Sequence, residues 1–167
     1  MNVASVQIVH TADLAAVRRL GVACGLEDSG RGDEQIQAAW GAFDGVRLVG
    51  AIVLETNRGL DTANWMAVDD HYRRRGIASR LYAALEREAQ TRGITRLWVT
   101  ARNPAFFLSQ GYGAVAESYE RGILMGECPN CEQFGHGCEP RALTKRIDDS
   151  GPPDGPRSEG ETWHDRD

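Results

Sequence analysis

The sequence feature that most constrains the fold is an apolar run followed by a basic, glycine-containing turn and then an amphipathic segment. Trp65 to Val68 is predicted to be a strand, and Ile77 to Arg92 is predicted to be a helix. Gly76 in the turn between them lets the backbone approach a ligand closely. The first N–H groups of such a helix have no partners within it, and its dipole favours an anion. The pattern therefore predicts a turn that binds an anionic group such as a pyrophosphate.

Three consecutive arginines, Arg73 to Arg75, lie in the same turn. A bare basic triplet is commonly a solvated surface feature, but the strand before it and the helix after it favour anion binding. The spacing Arg73-x-x-Gly76-x-Ala78 resembles the acetyl-CoA-binding motif of the GCN5-related N-acetyltransferases, the GNAT superfamily. The resemblance implies that acetyl-CoA is a co-substrate of this chain.

Hydrophobic periodicity predicts alternating strands and helices over roughly residues 3–147. The predicted strands are 3–9, 40–43, 46–55, 60–68, 94–100, 112–119 and 142–147, and the predicted helices are 11–24 with Thr11 as N-cap, 34–39, 77–92 and 104–110. Asp44-Gly45 is typical of a two-residue hairpin turn, which needs positive φ. The order matches the GNAT fold, an α/β (α+β) architecture. That fold implies a central mixed, mostly antiparallel twisted sheet of six to seven strands, about four flanking helices, and splayed fourth and fifth strands.

The charge of the chain is concentrated at its C-terminal end. The formal net charge is −5, and residues 148–167 alone contain seven acids and two bases, so residues 1–147 are near neutral. A near-neutral body with a local arginine cluster suits one anionic small ligand better than a nucleic-acid surface. We therefore predict a GNAT domain over residues 1–147, with a cysteine-rich loop at 126–140, and an acidic disordered tail over 148–167.

The N-terminal segment has no basic region followed by a long apolar one, and no run approaches membrane-spanning length. We expect a cytoplasmic protein without membrane or nucleic-acid partners. The family resemblance adds the expectation of a homodimer.

The resemblance also assigns an acetyl-CoA site residue by residue. The pyrophosphate is expected at Arg73, Arg74, Arg75, Gly76, Ile77, Ala78 and Ser79. The pantetheine arm is expected along the backbone of Met66, Ala67 and Val68, where a main-chain N–H would polarise the thioester carbonyl. Asn103, Phe106 and Phe107 belong to a segment that packs on the CoA arm in the family, although both phenylalanines are also ordinary core residues.

Phe107 departs from the family pattern, because many GNAT enzymes have a tyrosine there that protonates the departing thiolate. The general acid is then another group, a water or unnecessary, since a thiol with a pKa of about 8.5 is a fair leaving group. The Phe-Phe form resembles the amino-acid-acetylating, N-acetylglutamate synthase-like members of the family.

An acetyl acceptor must be a neutral amine, so a base is expected within reach of it. Glu55 is the first candidate. Asp61, Asn64, Glu27 and Asp28 are the others, and exposed acids of this kind are more commonly solvated than catalytic.

Four further residues form a cluster with metal-binding potential: Cys128, Cys131, His136 and Cys138. Three thiolates and an imidazole suit tetrahedral structural zinc, although the spacing between His136 and Cys138 is short for one tetrahedron. A redox pair at Cys128-x-x-Cys131 and unligated thiols are the alternatives. In the GNAT layout the segment lies close to the acceptor site.

Together these features predict an acyltransferase that moves the acetyl group of acetyl-CoA to a primary amine of a small molecule, such as an amino acid, by direct attack. The cationic partners of an anionic acceptor would be Arg31, Arg47, Arg102 or Arg121. The alternatives are a protein lysine or N-terminal acetyltransferase, and a non-catalytic module that binds acyl-CoA or zinc.

Overall fold

The computed structural model describes residues 5–28 and 32–148. The predicted acidic tail lies outside the described residues apart from Asp148. The strands are β1 (Val6–His10), β2 (Ile36–Asp44), β3 (Arg47–Asn57), β4 (Leu60–Val68), β5 (Arg96–Ala101), β6 (Gly113–Ala114) and β7 (Arg141–Arg146). The α-helices in these ranges are α1 (Leu14–Ala23), α2 (Ile77–Thr91), α3 (Pro104–Ser109) and α4 (Ser118–Met125).

The strands form one sheet in the order β1-β2-β3-β4-β5-β7-β6. Every neighbouring pair is antiparallel except β4 and β5, which are parallel. This mixed, mostly antiparallel sheet with four flanking helices in the described residues confirms the predicted fold class.

Helices cover both faces of the sheet. On one face, Leu81 and Leu85 of α2 pack with Ile52 and Leu54 of β3, and Phe107 of α3 joins the same core. On the other face α1 packs over β3 and β4, and α4 packs over β5 and β7. Alternate residues of the central strands therefore face opposite layers, with one buried cluster on the α2 side and two on the side of α1 and α4.

A β-bulge interrupts the pairing of β3 with β4. Val53 faces Asn64 and Ala51 faces Ala67, so that Trp65 and Met66 both lie opposite Ile52. Trp65 has a φ of 50°, in the left-handed region that a bulky residue rarely adopts. Bulges bend a strand and increase its twist, and this bulge lies C-terminal to the position where β4 pairs with β5. Within the described residues, the two strands pair at a single position, Thr62 with Trp98.

Three local predictions are wrong. Residues 34–39 are not a helix: a 3-10 turn at Asp33–Gln35 leads into β2, because burying Ala38, Trp40 and Ala42 on one sheet face outweighs local propensity. Residues 112–119 form only the short β6, and α4 begins at Ser118. The N-cap of α1 is Asp13 rather than Thr11, since its side chain accepts the N–H of Ala16 at 3.0 Å.

None of the helices in the described ranges is long and apolar enough to span a membrane.

Candidate active site

The N-terminus of α2 lies at the end of the arginine-rich turn. Gly76 is the N-cap, with a φ of 77°, a conformation that favours glycine. No side chain in the described part of the chain caps this end, so the first N–H groups of the helix keep their capacity to bind an anion. Ile77 is buried in the core and fixes the helix start, whereas Ser79 in the first turn is exposed.

The three arginines of the turn have different environments. Arg73 folds back on β4: its Nε donates to the carbonyl of Val68 at 3.1 Å, and the guanidinium pairs with Asp70 at 2.8 Å. Arg75 lies over the ring of Tyr72, 5.7 Å from its centroid. Arg74 is exposed and has a φ of 61°. Arg74 and Arg75 are therefore the more available phosphate partners, and Arg73 braces the turn against the strand.

The gap between β4 and β5 opens towards the C-terminal end of β4, from which the chain leads into the arginine-rich turn. The side chains of Met66 and Val68 pack into the α2-side core, which leaves the backbone of this segment to face the gap. The thiol of Cys24, at the C-terminus of α1, lies 3.6 Å from the carbonyl of Val68. Burial raises the pKa of this thiol, and the charge of the nearby Arg73 lowers the pKa by a smaller amount. Sequence reasoning gave no role to Cys24, because its contact with β4 is entirely tertiary.

An aromatic cluster backs the gap on the α2 side. Phe107 is buried, and its ring centroid lies 5.3 Å from that of Tyr112 and 5.2 Å from that of Phe106, which is only half-buried. Phe106 therefore has the more accessible ring of the two. Asn103 is the exposed N-cap of α3.

Two buried tyrosines in this cluster were not predicted. The hydroxyl of Tyr82 donates to that of Tyr112 at 3.2 Å. Burial raises the pKa of both phenols far above the ordinary tyrosine value. Each phenol therefore stays neutral at physiological pH and gives up its proton reluctantly. The only sequence signal was the position of Tyr82 beside Leu81 on the apolar face of the helix.

Glu55 is buried rather than solvated. It is 3% exposed, and its Oε2 accepts a hydrogen bond from Nδ2 of Asn64 at 3.0 Å. Strand register places Glu55, Thr62 and Trp98 in one row across the sheet, on the face that α1 and α4 cover. A carboxylate is rarely buried in this way without a role or a partner, so Glu55 becomes the strongest of the candidate bases.

The other candidate bases have ordinary surroundings. Asp61 accepts a hydrogen bond from Gln37 at 2.7 Å, and Asp28 pairs with Arg18 at 3.3 Å. Glu27 is exposed. The pKa of Arg18 is raised, chiefly by its hydrogen bond to Asp33, and the charge of Glu55 adds to this effect.

The predicted zinc site is not supported. Within residues 5–28 and 32–148, no group of three or more His, Cys, Asp or Glu side chains is arranged to hold a metal ion. All four cysteines are free thiols, and His136 is exposed between two glycines with positive φ. Burial, then the charges of Cys138 and Cys131, raise the pKa of Cys128, so the three thiols of the segment lie near one another.

The cysteine-rich segment instead contacts the loop after α1. Nε2 of Gln133 donates to the carbonyl of Gly25 at 3.0 Å, and the guanidinium of Arg102, just after β5, donates to the same carbonyl. We call this three-residue contact the Gly25 junction. It ties α1, the end of β5 and residues 127–140 together on the side of the sheet that holds Glu55.

The arginines expected to meet an anionic acceptor are engaged with the protein itself. Arg47 pairs with Asp69 at 3.1 Å, and Arg121 donates to the carbonyls of Val115 and Ala116. Arg102 belongs to the Gly25 junction, and Arg31 lies outside the described residues.

Comparison with known proteins identifies one matching family and several solved structures of similar fold. The family model described as "Acetyltransferase (GNAT) family" matches residues 16–112. No curated protein sequence matches the chain. Among solved structures, the IAA acetyltransferase from Bacillus cereus is similar with a TM-score of 0.65 and 18% identity, covering 84% of this chain and 98% of that one.

Two further structures are similar in the same way. The N-acetylglutamate synthase from Neisseria gonorrhoeae, complexed with coenzyme A and N-acetyl-glutamate, has a TM-score of 0.63 and 18% identity over 86% of this chain and 35% of that chain. The ribosomal-protein-S18-alanine N-acetyltransferase from Escherichia coli has a TM-score of 0.56 and 19% identity over 83% and 90%. At these identities the likeness establishes the fold.

Proposed function

We propose that this chain, which belongs to the acetyltransferase (GNAT) family, transfers the acetyl group of acetyl-CoA to a primary amine of a small molecule by direct attack. The observation that carries the proposal is the gap between β4 and β5, which opens beside the uncapped N-terminus of α2. The helix start would bind a pyrophosphate, and the unpaired backbone of β4 would bind an amide-containing arm. The two lie next to each other, as a long ligand with both groups requires.

Acetyl-CoA fits this arrangement as follows. The N–H groups after Gly76, with Arg74 and Arg75, would hold the pyrophosphate, and the backbone of Met66 to Val68 would pair with the pantetheine arm. A main-chain N–H of that segment would donate to the thioester carbonyl and stabilise negative charge on its oxygen. Solved relatives of similar fold were crystallised with CoA, including the N-acetylglutamate synthase.

Glu55 is our proposed general base. Its carboxylate accepts a hydrogen bond from Asn64 on the face of the sheet opposite α2. The carboxylate would take a proton from the ammonium form, directly or through water. The neutral amine would then attack the thioester carbon, the C–S bond would break to release the CoA thiolate, and the second amine proton would go to solvent. The raised pKa values of Tyr82 and Tyr112 make both poor proton donors, so the thiolate would leave unprotonated or take a proton from water or another group.

A small acceptor is favoured over a protein chain by the Gly25 junction. Arg102 and Gln133 reach the same carbonyl from two sides and bridge the α1–β2 loop to the end of β5. If the acceptor enters here, as the family resemblance implies, this bridge would limit the room for an extended peptide. The Phe106-Phe107 pair resembles that of amino-acid-acetylating members of the family, and this resemblance supports an amino acid as the acceptor class. The cytoplasmic location and the homodimer expected from the sequence stay predictions.

The proposal is tested by acetyl-CoA binding in calorimetry and by CoA release with amino acids, polyamines and lysine peptides as acceptors. Gly76→Asp places a carboxylate at the anion site and should abolish acetyl-CoA binding. Gly93→Asp is the matched control, because Gly93 follows the other end of α2 with the same φ of 77° and equally open space.

Turnover on one amino acid or amine, lost in Gly76→Asp and kept in Gly93→Asp, is the expected result. Turnover on lysine peptides alone would replace the small acceptor with a protein. If the wild-type chain does not bind acetyl-CoA, the proposed function is wrong.

A further inference from the structure

The arginine-rich turn is anchored to a distant part of the chain by Tyr72. This residue lies in the 3-10 turn Asp70–Tyr72 immediately before the arginines, and its side chain is buried, with 4% exposed. Its hydroxyl donates to Oδ2 of Asp44 at 2.6 Å. Asp44 ends β2 at the β2–β3 hairpin, 28 residues earlier in the sequence. The hydrogen bond therefore ties the turn to the hairpin.

The ring of Tyr72 also supports one of the proposed phosphate partners. The guanidinium of Arg75 lies 5.7 Å from the ring centroid, within the range of a cation–π contact. Such stacking orients a guanidinium that would otherwise sample many rotamers. Tyr72 thus contacts Arg75 through the face of its ring and Asp44 through its hydroxyl.

A second anchor, Asp69, holds the start of the 3-10 turn to the same hairpin. Asp69 accepts the N–H of His71 at 2.9 Å and a hydrogen bond from Arg47, the first residue of β3, at 3.1 Å. The backbone N–H of Asp69 donates to the carbonyl of Val49 at 2.8 Å. Both ends of the 3-10 turn are therefore fixed to the start of β3 or the end of β2.

The conformation of the turn makes such anchoring necessary. Arg74 has a φ of 61°, and a non-glycine residue in this region costs free energy that the surrounding structure must offset. The contacts of Tyr72 and Asp69, together with those of Arg73, offset this cost and hold the turn in the conformation that leads into the start of α2.

We propose that Tyr72 is a positioning residue for the pyrophosphate of acetyl-CoA, acting through Arg75 and held by Asp44. The β2–β3 hairpin thereby contributes to the affinity for the phosphate part of the ligand through Asp44. The inference rests on the proposed function, since it concerns the same ligand.

The first test compares acetyl-CoA dissociation constants by calorimetry. Tyr72→Phe keeps the ring and removes the hydroxyl, and Asp44→Asn weakens the same bond from the other side. Either should weaken acetyl-CoA binding roughly three- to tenfold, the range expected for one hydrogen bond. Tyr119→Phe is the matched control, because Tyr119 is 76% exposed on α4, and its affinity should equal that of the wild type.

A double-mutant cycle separates positioning from general damage. Tyr72→Leu and Arg75→Ala should each weaken acetyl-CoA binding, and their combined effect should be clearly smaller than the sum of the two. Additive effects, or wild-type affinity in both Tyr72→Phe and Asp44→Asn, would overturn the inference. Absence of acetyl-CoA binding in the wild type would instead refute the proposed function.

Discussion

The indole of Trp65 lies against the backbone of Gly21. A methyl group added to Gly21 would come within 2.5 Å of the ring carbon Cε3. Trp65 is the residue at the β4 bulge that has positive φ, so its indole packs on α1 beyond the position where β4 pairs with β5. The shape of the proposed thioester site therefore depends on Gly21 of α1, because a larger residue there would push Trp65 out of place.

Gly21→Ala is expected to disturb both stability and acetyl-CoA binding. The ring cannot move without shifting the bulge, and overpacking of this kind costs about 1–3 kcal/mol. The free energy of unfolding from urea denaturation and the acetyl-CoA dissociation constant measure the two effects.

Gly122→Ala is its matched control. Gly122 lies in α4 with nothing within 4 Å of an added methyl group, so the alanine should stabilise the helix by up to about 1 kcal/mol. Equal stability of Gly21→Ala and the wild type would show that the contact is looser than the structure indicates.

Glu55→Gln should separate chemistry from binding. Loss of a general base lowers turnover by about 10²- to 10⁴-fold, while the acetyl-CoA dissociation constant should stay unchanged because Glu55 faces away from the α2 layer. Steady-state kinetics on the accepted amine and calorimetry give the two values. Glu86→Gln, on α2 and paired with Lys145 at 3.2 Å, is the control and should keep its turnover. Unchanged turnover in Glu55→Gln would assign the base to another group.

Cys24 offers a chemical readout of where acetyl-CoA binds. Burial raises the pKa of Cys24 and of Cys128, so both should react with iodoacetamide more slowly than an ordinary thiol at pH 7, and faster as the pH rises. CoA should protect Cys24, which contacts the carbonyl of Val68, but not Cys128. Peptide mass spectrometry after timed alkylation measures both sites, and equal rates for Cys24 with and without CoA would contradict a ligand beside Val68.

The anchor at Asp69 predicts a pH dependence. The backbone N–H of His71 is the main cause that lowers the pKa of Asp69. A group whose pKa is lowered by folding stabilises the protein above its unfolded pKa of about 4, and this contribution is lost as the pH falls through the native value. The melting temperature of Asp69→Asn should therefore be below that of the wild type at pH 7, and the difference should shrink towards pH 3. A constant difference across this range would contradict the anchor.

The sequence predicted well what depends on local patterns. Helix α2 was predicted as 77–92 and is Ile77–Thr91, and β4 was predicted at its observed bounds. The regular spacing of apolar residues predicts α2 from its own sequence, and Asp44-Gly45 predicts the β2–β3 hairpin in the same way.

What the sequence did not reveal depends on tertiary contacts. Trp65 favours ordinary strand conformation, so its positive φ has no local signal; it follows from the bulge and from packing on Gly21. Helix α4 is eight residues long and is stabilised by burial of Leu124 beside Trp98, not by propensity. Glu55 looked like an exposed acid because only strand register shows that it faces a covered layer.

The Gly25 junction gives a last prediction, on the acceptor side. Gln133→Leu removes one of the two donors to the carbonyl of Gly25 while keeping a side chain of similar size. The loop after α1 should then open more often, and hydrogen exchange should speed up at residues 24–28 in mass spectrometry. Gln90→Leu is the control, since Gln90 makes the same type of bond to the carbonyl of Ile147 at 2.8 Å, far along α2. It should change exchange near residue 147 and leave residues 24–28 alone. Unchanged exchange at 24–28 in Gln133→Leu would mean that the remaining contacts, such as those of Arg102 and Arg18, hold the loop, and that the cysteine-rich segment does not shape the acceptor side.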